Sequence, residues 1–530
     1  MATPWRPSAL ARSVSPESLR EAVAGLLIVR LGNNLPPART ATEDADSVAR
    51  LLDRLPIGGL ILFNGQWPAT REALIRLQQH SDAGLLVTTD MERGLGQQVA
   101  GATVYPHSAA FARVGDADAV RRFAAQASRE ALACGIHVTY SPVADVDRNP
   151  DNPIIGARAF GPDPDVVAAM TAAFVEGVHE AGQLATAKHF PGHGATVGDS
   201  HAEIPSVDDP LEVLEATDFV PFRAAFASGV DLVMTAHVRY PALDLSGAIA
   251  TASAPILRGL LRERMGFDGV VVSDSLQMAG AHEDGVTEGQ RAAHLLTAGV
   301  DLFVDAVDPT ALIEGVARAV EDGSLEMGLV ETALARTQRL RDRLTSRFGA
   351  GVFRDPSLTY APDIVASAEH RAEAERVARQ AAEWSRGAPD RHGRGTGTLV
   401  VAMRKPALPS ETGPLPLAAA VRDRLPEASY AEWTIGAATH DDVAELDRLA
   451  AGADRVVLFV VARPAAWHAF GLPERERAWA DRWTATRPTT LVVLGDARGL
   501  AGFEGVERAV VAYSDVPASQ RAGLDLALGR

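Results

Sequence analysis

Residues 184–201 read LATAKHFPGHGATVGDSH, a short strand-like run that leads directly into a glycine-rich polar loop. The run LATAK, residues 184–188, is one of a series of short, mostly apolar runs separated by amphipathic segments of helical length. The seven other runs lie at residues 25–31, 59–63, 84–89, 135–142, 230–235, 269–273 and 300–304. Continuous runs of this length are typical of parallel strands that are buried on both faces. Eight βα units over about 330 residues predict an α/β fold, a (β/α)8 TIM barrel with insertions.

Polar side chains follow six of the eight predicted strands. They are Asp90, Asp145 with Asp147, Lys188 with His189, His237, Asp274 and Asp305. Catalytic groups in such barrels lie at the carboxyl ends of the strands, although some of these residues will only cap the next helix. The pattern therefore predicts an active site at this end of the barrel.

The barrel pattern stops near residue 350, and a different pattern follows. Residues 366–386 have a helical composition, and residues 387–397 (GAPDRHGRGTG) are typical of a linker. New buried-strand runs then alternate with helical segments, at residues 398–403, 455–461, 490–495 and 509–513. We predict a TIM-barrel catalytic domain over 1–350, a helical connector and linker over 351–397, and a smaller open α/β C-terminal domain over 398–530.

The composition excludes several classes of partner. The 530 residues include 51 Lys and Arg against 68 Asp and Glu, which gives a net charge of −17. An acidic chain repels phosphate backbones and anionic lipid, so we expect neither nucleic acid nor a membrane as partner. The single cysteine, Cys134, excludes an internal disulfide and indicates a reducing compartment. Without a signal-peptide pattern or an apolar run of about 20 residues, the predicted location is cytoplasmic.

The strand-five loop, residues 188–201, carries Lys188, His189, His193, Asp199 and His201. Its three histidines are spaced H-x3-H-x7-H, which raises the hypothesis of a zinc site. Two of them would share a helix face, but the proline and glycines of the loop disfavour a helix. We therefore expect no metal and no cofactor.

Acid/base chemistry is a stronger hypothesis for the same loop. Ser200, in GDSHA, lacks the last glycine of the nucleophile elbow G-x-S-x-G, which argues against a serine hydrolase. Asp199 lies two residues from His201 and can orient the imidazole and stabilise its charged form. Asp274 follows a predicted strand, where a carboxylate is rigidly held. A proton donor and an ionised carboxylate on opposite faces of a sugar are what retaining glycoside hydrolysis requires.

These residues resemble glycoside hydrolase family 3, specifically its bacterial β-N-acetylglucosaminidase branch. The similarity covers residues 24–350. It is carried by KHFPGHG-x4-DSH (188–201), VVVSDSLQM (270–278), TTDMERG (88–94) and SPVADVDRNPDNPIIGARAFG (141–161). The resemblance implies a TIM barrel that acts on small saccharides or glycosides.

The resemblance also implies a role for each matching residue. Asp274 would be the nucleophile, His201 the general acid/base and Asp199 its dyad partner. The residues expected to hold the sugar hydroxyls in the −1 subsite are Asp90, Arg158, Lys188 and His189. One departure concerns Arg93–Gln98 (RGLGQQ), where the branch usually has a GGRVQR-like run, so an arginine expected near Gln98 is missing. The departure leaves open whether glucose or N-acetylglucosamine occupies the −1 subsite.

The predicted activity is that of a retaining, exo-acting β-glycosidase that cleaves terminal β-N-acetylglucosaminides through a covalent glycosyl-aspartate. The alternative is a β-glucoside or β-N-acetylglucosaminide phosphorylase, with inorganic phosphate as co-substrate and sugar 1-phosphate as product. A neutral imidazole at His201 would not repel phosphate as a carboxylate acid/base would.

Two other classes of protein remain as hypotheses, and each makes a distinct prediction. A metal-dependent hydrolase would lose activity with chelators, and a non-catalytic sugar-binding protein would bind without turnover.

Overall fold

The computed structural model describes residues 15–197, 204–281, 285–389, 397–404, 414–435, 439–462 and 472–530. Its chain divides into two compact units. The first contains the chain up to Thr103, Val120–Asn152 and Pro162–Ser367, and the second contains Val104–Ala119, Pro153–Gly161 and Ala368–Arg530. Within the ranges described, no helix has both the length and the apolar character to cross a membrane.

Eight parallel strands form the main sheet of the first unit, which confirms the predicted barrel. They are β1 (Leu27–Leu31), β2 (Gly59–Leu62), β3 (Leu86–Thr89), β4 (Val138–Thr139), β5 (Leu184–Phe190), β6 (Leu232–Thr235), β7 (Val270–Val272) and β8 (Phe303–Val304). The neighbours run in the order β8-β1-β2-β3-β4-β5-β6-β7. An isolated bridge between Val272 and Leu302 joins the two ends of this order. Nearly every strand residue is buried, as helices outside and side chains inside a barrel require.

Helices alternate with these strands. They are α1 (Pro16–Ala24), α2 (Ala41–Leu52), α3 (Ala69–Leu77), α4 (Ser108–Val114), α5 (Ala117–Cys134), α6 (Pro164–Ala181), α7 (Leu211–Ala216), α8 (Phe219–Ala227), α9 (Glu288–Ala298), α10 (Pro309–Glu321) and α11 (Met327–Phe348). A π-helix, Pro255–Arg264, lies between β6 and β7. Thr40 and Glu43 form a capping box that fixes the start of α2. Helix α4 and the first residues of α5 belong to the second unit.

Buried charged side chains join helices to the amino ends of the strands. Arg341 of α11 donates to the carbonyls of Gly58 and Gly84, which precede β2 and β3. Asp301, just before β8, accepts hydrogen bonds from Arg262 at 2.7 Å and from Arg336 at 3.0 Å. These contacts hold the end of the barrel opposite to the predicted site.

The second unit contains a six-stranded sheet with helices. Its strands are β9 (Glu383–Arg386), β10 (Thr398–Arg404), β11 (Ser429–Thr434), β12 (Arg455–Ala462), β13 (Thr489–Gly495) and β14 (Arg508–Val511). They run in the order β9-β14-β13-β12-β10-β11, and only β9 pairs antiparallel. The helices are α12 (Ala368–Ala381), α13 (Pro416–Arg424), α14 (His440–Ala451), α15 (Glu474–Thr486) and α16 (Pro517–Ala527). Separate apolar clusters cover the two faces, which confirms an open α/β domain.

The sequence interpretation was wrong at two edges of this sheet. The helix expected over 366–386 ends at Ala381, and Glu383–Arg386 forms strand β9 against β14. Strand β11 was not predicted, because its sequence SYAEWT is only partly buried and lacks a continuous apolar run. Edge strands depend on pairing with a neighbour that local sequence does not reveal. Residues 390–396 of the predicted linker lie outside the described residues.

Candidate active site

Lys188 connects the carboxyl ends of β3 and β5. Its Nζ lies 2.6 Å from Asp90 Oδ1 and 2.8 Å from Glu92 Oε1. The Lys188 side chain is 3% exposed, whereas 26% of the Asp90 side chain remains exposed. The ion pairs therefore hold Asp90 in place while one part of its carboxylate is open to a ligand. A carboxylate held in this way is suited to accept hydrogen bonds from sugar hydroxyls.

Asp145, six residues after β4, secures the start of the strand-five loop. Its Oδ2 lies 2.7 Å from His189 Nδ1, and its Oδ1 accepts the His189 N–H at 3.2 Å and the His193 N–H at 2.7 Å. Burial raises the pKa of Asp145, but the charges of and hydrogen bonds from the two histidines outweigh it and hold this pKa below its usual value. With Asp145 ionised, His189 keeps its proton on Nδ1. His189 Nε2 is thereby left for other partners.

The strand-five loop passes close to the segment that follows β4. A Cβ on Gly194 would stand 1.8 Å from the carbonyl oxygen of Val146. Asn149 and Asn152 donate side-chain hydrogen bonds to the carbonyls of Ala195 and His193, at 3.1 Å and 3.0 Å. Glycine is required at 194 because any side chain would collide with backbone, which cannot move aside.

A partly buried ionic cluster supports the same loop from the other side. Tyr240 Oη donates to the Gly192 carbonyl at 2.6 Å, and Asp218 would block a Cβ at Gly192. Arg148 pairs with Asp218 at 2.6 Å and with Asp209 at 2.8 Å. Burial raises the pKa of Asp218 to about 6, although the Arg148 charge opposes the shift. The first part of the loop is therefore held by groups from the segments after β4, β5 and β6.

Asp274 lies at the carboxyl end of β7, as predicted, with its Oδ1 2.7 Å from the N–H of Ser275. Burial raises the pKa of the Tyr140 phenol, and the charges of Asp90, Asp274 and Asp305 raise it further. Three carboxylates from the ends of β3, β7 and β8 thus act electrostatically on one phenol. The structure brings together Asp90, Lys188, His189 and Asp274 at one end of the barrel, which suits a carboxylate attack on a bound sugar.

Three other predicted site residues remain, namely Arg158, Asp199 and His201. Arg158 lies in the second compact unit, in the turn Gly156–Arg158, and its guanidinium donates to the Ile154 carbonyl at 3.1 Å. Asp199 and His201 lie outside the described residues, so their roles stay predictions. Gln98, where the resemblance leads one to expect an arginine, accepts a hydrogen bond from Asn34 at 3.0 Å.

The sequence did not reveal the partners that position these groups. Glu92 and Arg30 received no role, and Asp145 and Asp305 were marked only as charges at strand ends. The signal for Glu92 was its place two residues after Asp90 in TTDMERG. The partner of each charged side chain depends on which strands lie next to one another. The order of the strands along the sequence does not give this information.

A metal centre receives no support from the described part of the chain, where no three His, Cys, Asp or Glu side chains are grouped to hold an ion. His201, the third histidine of the zinc hypothesis, lies outside that part.

Comparison with known proteins assigns the family. The sequence profile of the glycosyl hydrolase family 3 N terminal domain matches residues 18–340, which is more than half of the chain. The chain belongs to glycosyl hydrolase family 3. Membership of this family makes the protein an enzyme that acts on glycosidic bonds.

Two curated relatives of this family 3 enzyme carry related names. A β-N-acetylglucosaminidase/β-glucosidase from Cellulomonas fimi is 33% identical over 334 residues, covering 60% of this chain and 59% of that protein. A β-hexosaminidase from Xylella fastidiosa (strain 9a5c) is 38% identical over 261 residues, covering 47% of this chain and 76% of the relative. The match therefore spans little more than half the length of the Cellulomonas protein.

A solved structure resembles the family 3 enzyme over nearly its whole length. It is a glycoside hydrolase family 3 β-N-acetylglucosaminidase from Paenibacillus sp. str. FPU-7, with a TM-score of 0.83 and 27% sequence identity. The likeness covers 96% of each chain, so the fold of both units has a counterpart in that protein.

Proposed function

We propose that this family 3 enzyme is a retaining, exo-acting β-glycosidase that cleaves terminal β-N-acetylglucosaminides. The observation that carries the proposal is the position of Asp274, a carboxylate at the carboxyl end of β7, which is the same end of the barrel that carries the Lys188–Asp90 pair. The printed names of the curated relatives support the choice of β-N-acetylglucosaminides.

In the proposed reaction, Asp274 forms a bond to the anomeric carbon while the glycosidic C–O bond breaks. Protonated His201, oriented by Asp199, gives its proton to the departing oxygen. Water then attacks the glycosyl-Asp274 ester, His201 takes a proton from it, and Asp274 leaves as a carboxylate. Asp90, Lys188 and His189 hold the sugar hydroxyls, and Arg158 is assigned to the same subsite on the resemblance alone. The proposal needs no metal or cofactor, and the single, buried Cys134 suits a reducing, cytoplasmic location.

The test is turnover of aryl β-N-acetylglucosaminide and aryl β-glucoside, each with and without inorganic phosphate, with the sugar product identified. We expect free N-acetylglucosamine at a rate that does not depend on phosphate. Release of sugar 1-phosphate with phosphate-stimulated turnover would replace hydrolysis by the phosphorylase alternative. Faster turnover of the glucoside would show that the 2-acetamido group is not required.

Asp274→Ala supplies the matched test of the nucleophile. We expect kcat to fall by on the order of 10³-fold or more, because the covalent step loses its attacking group. Asp268→Ala is the control, since Asp268 lies at the amino end of the same strand with 81% of its side chain exposed. Wild-type turnover in Asp274→Ala would remove Asp274 from this role.

A further inference from the structure

Asp305 accepts hydrogen bonds from two different segments of the barrel. It follows β8 directly and is fully buried. Arg30 of β1 donates to both of its carboxylate oxygens, with Nε 2.9 Å from Oδ1. Ser275 Oγ donates to Oδ2 at 2.7 Å, and Gln277 Nε2 donates to Oδ1 at 2.7 Å. Charge-assisted hydrogen bonds of this kind are the stronger ones in proteins, and the bidentate arginine fixes the plane of the carboxylate.

Ser275 and Gln277, the other two donors to Asp305, belong to the segment that carries Asp274. Ser275 is its neighbour in sequence, and the Ser275 N–H is 2.7 Å from Asp274 Oδ1. The Ser275 carbonyl lies 3.2 Å from His237 Nε2, and the next N–H, of Leu276, donates to the Val304 carbonyl at 2.9 Å. The backbone after Asp274 is thus held from β6 and from β8, and its rotation would break these bonds.

Arg30 is itself held in position. Its Nη1 donates to Asn33 Oδ1 at 2.9 Å, and its guanidinium lies over the Phe63 ring, 5.2 Å from the centroid. The backbone of Asp305 has a φ of +62°, in the left-handed region that favours glycine. A non-glycine residue stays in that region only when its surroundings over-determine it. Four hydrogen bonds to one carboxylate are such surroundings.

An ion pair at the opposite end of the barrel provides a contrast. Asp301 is also buried, and Arg262 and Arg336 donate to it. Its remaining hydrogen bond comes from the N–H of Val271, inside β7. That pair joins helices to strands and contacts no residue of the segment 273–278. Of these two buried ion pairs, the one at Asp305 is the one that reaches the residues beside Asp274.

We propose that Asp305 and Arg30 are positioning residues for Asp274, acting through the Ser275 hydroxyl and the Gln277 amide. The proposal rests on the proposed function in that it takes Asp274 as the nucleophile. Asp305 does not touch the substrate. It fixes the backbone from which the Asp274 carboxylate attacks.

The test is a double-variant cycle of Asp305→Asn and Ser275→Ala on aryl β-N-acetylglucosaminides. A displaced nucleophile weakens the transition state and not substrate binding, so kcat and kcat/KM should fall together in Asp305→Asn, by about 10²-fold, with KM nearly unchanged. Ser275→Ala should lose activity by a smaller factor. The double variant should be no slower than Asp305→Asn, because both changes break one path.

Asp301→Asn is the control for a merely structural role. It should lower the urea midpoint as much as Asp305→Asn does and leave kcat per folded molecule unchanged. An Asp305→Asn enzyme with wild-type kcat, or losses that multiply in the double variant, would overturn the proposal. If Asp305→Asn does not fold, Ser275→Ala alone tests the proposal. An unchanged kcat in Ser275→Ala would then mean that Asp305 does not position Asp274 through the Ser275 hydroxyl.

A second readout separates this proposal from the proposed function. The same four proteins, wild type included, are unfolded in urea, and the coupling between the two substitutions is measured from the midpoints. If wild type turned over no aryl glycoside, the proposed function would fail. A coupling between the two substitutions in urea unfolding would still support the contact between Asp305 and Ser275. The absence of that coupling would overturn the proposed contact.

Discussion

Two buried carboxylates, Asp145 and Asp305, fix the positions of the side chains around the candidate site. Asp145 accepts three hydrogen bonds from His189 and His193, and Asp305 accepts four from Arg30, Ser275 and Gln277. Each is fully buried. A buried carboxylate is costly unless its lone pairs are satisfied, so each fixes the donors around it as firmly as they fix it.

Asp145→Asn tests whether this buried carboxylate fixes the position of His189. The new amide would present N–H to the proton on His189 Nδ1, so the imidazole must change tautomer or move. We expect kcat/KM to fall roughly 10- to 100-fold and the free energy of unfolding to fall by about 1–3 kcal/mol. Kinetics on the aryl glycoside and urea unfolding measure the two effects. Asp151→Asn, at an exposed position on the same segment, should change neither, and an unaltered kcat/KM in Asp145→Asn would contradict the role given to Asp145.

At the scale of elements, the strand-five loop depends on its close contact with the segment after β4. Gly194 has no room for a side chain against Val146, and Asn149 and Asn152 hold the adjacent backbone. The course of this loop is therefore set by a neighbouring element as well as by its own sequence. The proline and glycines of the loop argued against a helix, but the segment against which the loop packs is visible only in the fold.

Gly194→Ala should displace the loop, because the obstructing atom is a backbone oxygen. A displacement of about 1 Å costs about 10²-fold in rate, and overpacking costs about 1–3 kcal/mol in stability. Kinetics and thermal unfolding of the variant check both. Gly328→Ala, near the start of α11 with nothing within 4 Å of its Cβ, is the matched control. It should leave activity unchanged and stabilise the protein by up to about 1 kcal/mol.

At the scale of the whole molecule, the two ends of the barrel differ in what their polar residues do. The carboxyl ends carry the candidate site, and the amino ends carry buried groups that hold helices in place. His137, just before β4, is also buried there, and its Nδ1 accepts the N–H of Val87 in strand β3 at 3.0 Å. Burial, with the nearby Arg341 charge, lowers the pKa of His137 to about 3. His137 is therefore neutral in the folded protein down to acid pH.

A pH dependence of stability follows from His137. The unfolded chain takes up a proton near pH 6.5, whereas the folded protein does so only near pH 3. The stability that the neutral ring contributes is thus complete above pH 6.5 and is lost as pH falls from 6.5 towards 3. The loss from this group between pH 7 and pH 5 should be about 2 kcal/mol.

Urea unfolding of wild type and His137→Asn at the two pH values measures this loss. The asparagine Oδ1 can accept the Val87 N–H but does not titrate. We expect the variant to be less stable than wild type at pH 7, with a difference that shrinks by about 2 kcal/mol at pH 5. An equal difference at both pH values would mean that His137 does not titrate on unfolding.

The amino-acid sequence was enough to predict the strand count of the barrel and the open α/β type of the second sheet. Buried parallel strands must be continuous apolar runs, and such runs are local features that can be read directly. It also placed Asp90, Lys188, His189 and Asp274 at strand ends. The edge strands β9 and β11 were not predicted, because their residues form strands only by pairing with a neighbouring strand.

Which charged side chains pair with one another is visible in the fold and not in the sequence. Lys188 lies between Asp90 and Glu92, and Asp305 joins Arg30 of the first strand to Ser275 after the seventh. These contacts link residues far apart in the chain, and they exist because closing the barrel brings the ends of its strands together. Hydrogen bonds and ion pairs act over a few ångströms, so each pair depends on the distance that the fold sets between its two side chains. Local sequence sets which side chains are available, and the fold sets which of them come within reach.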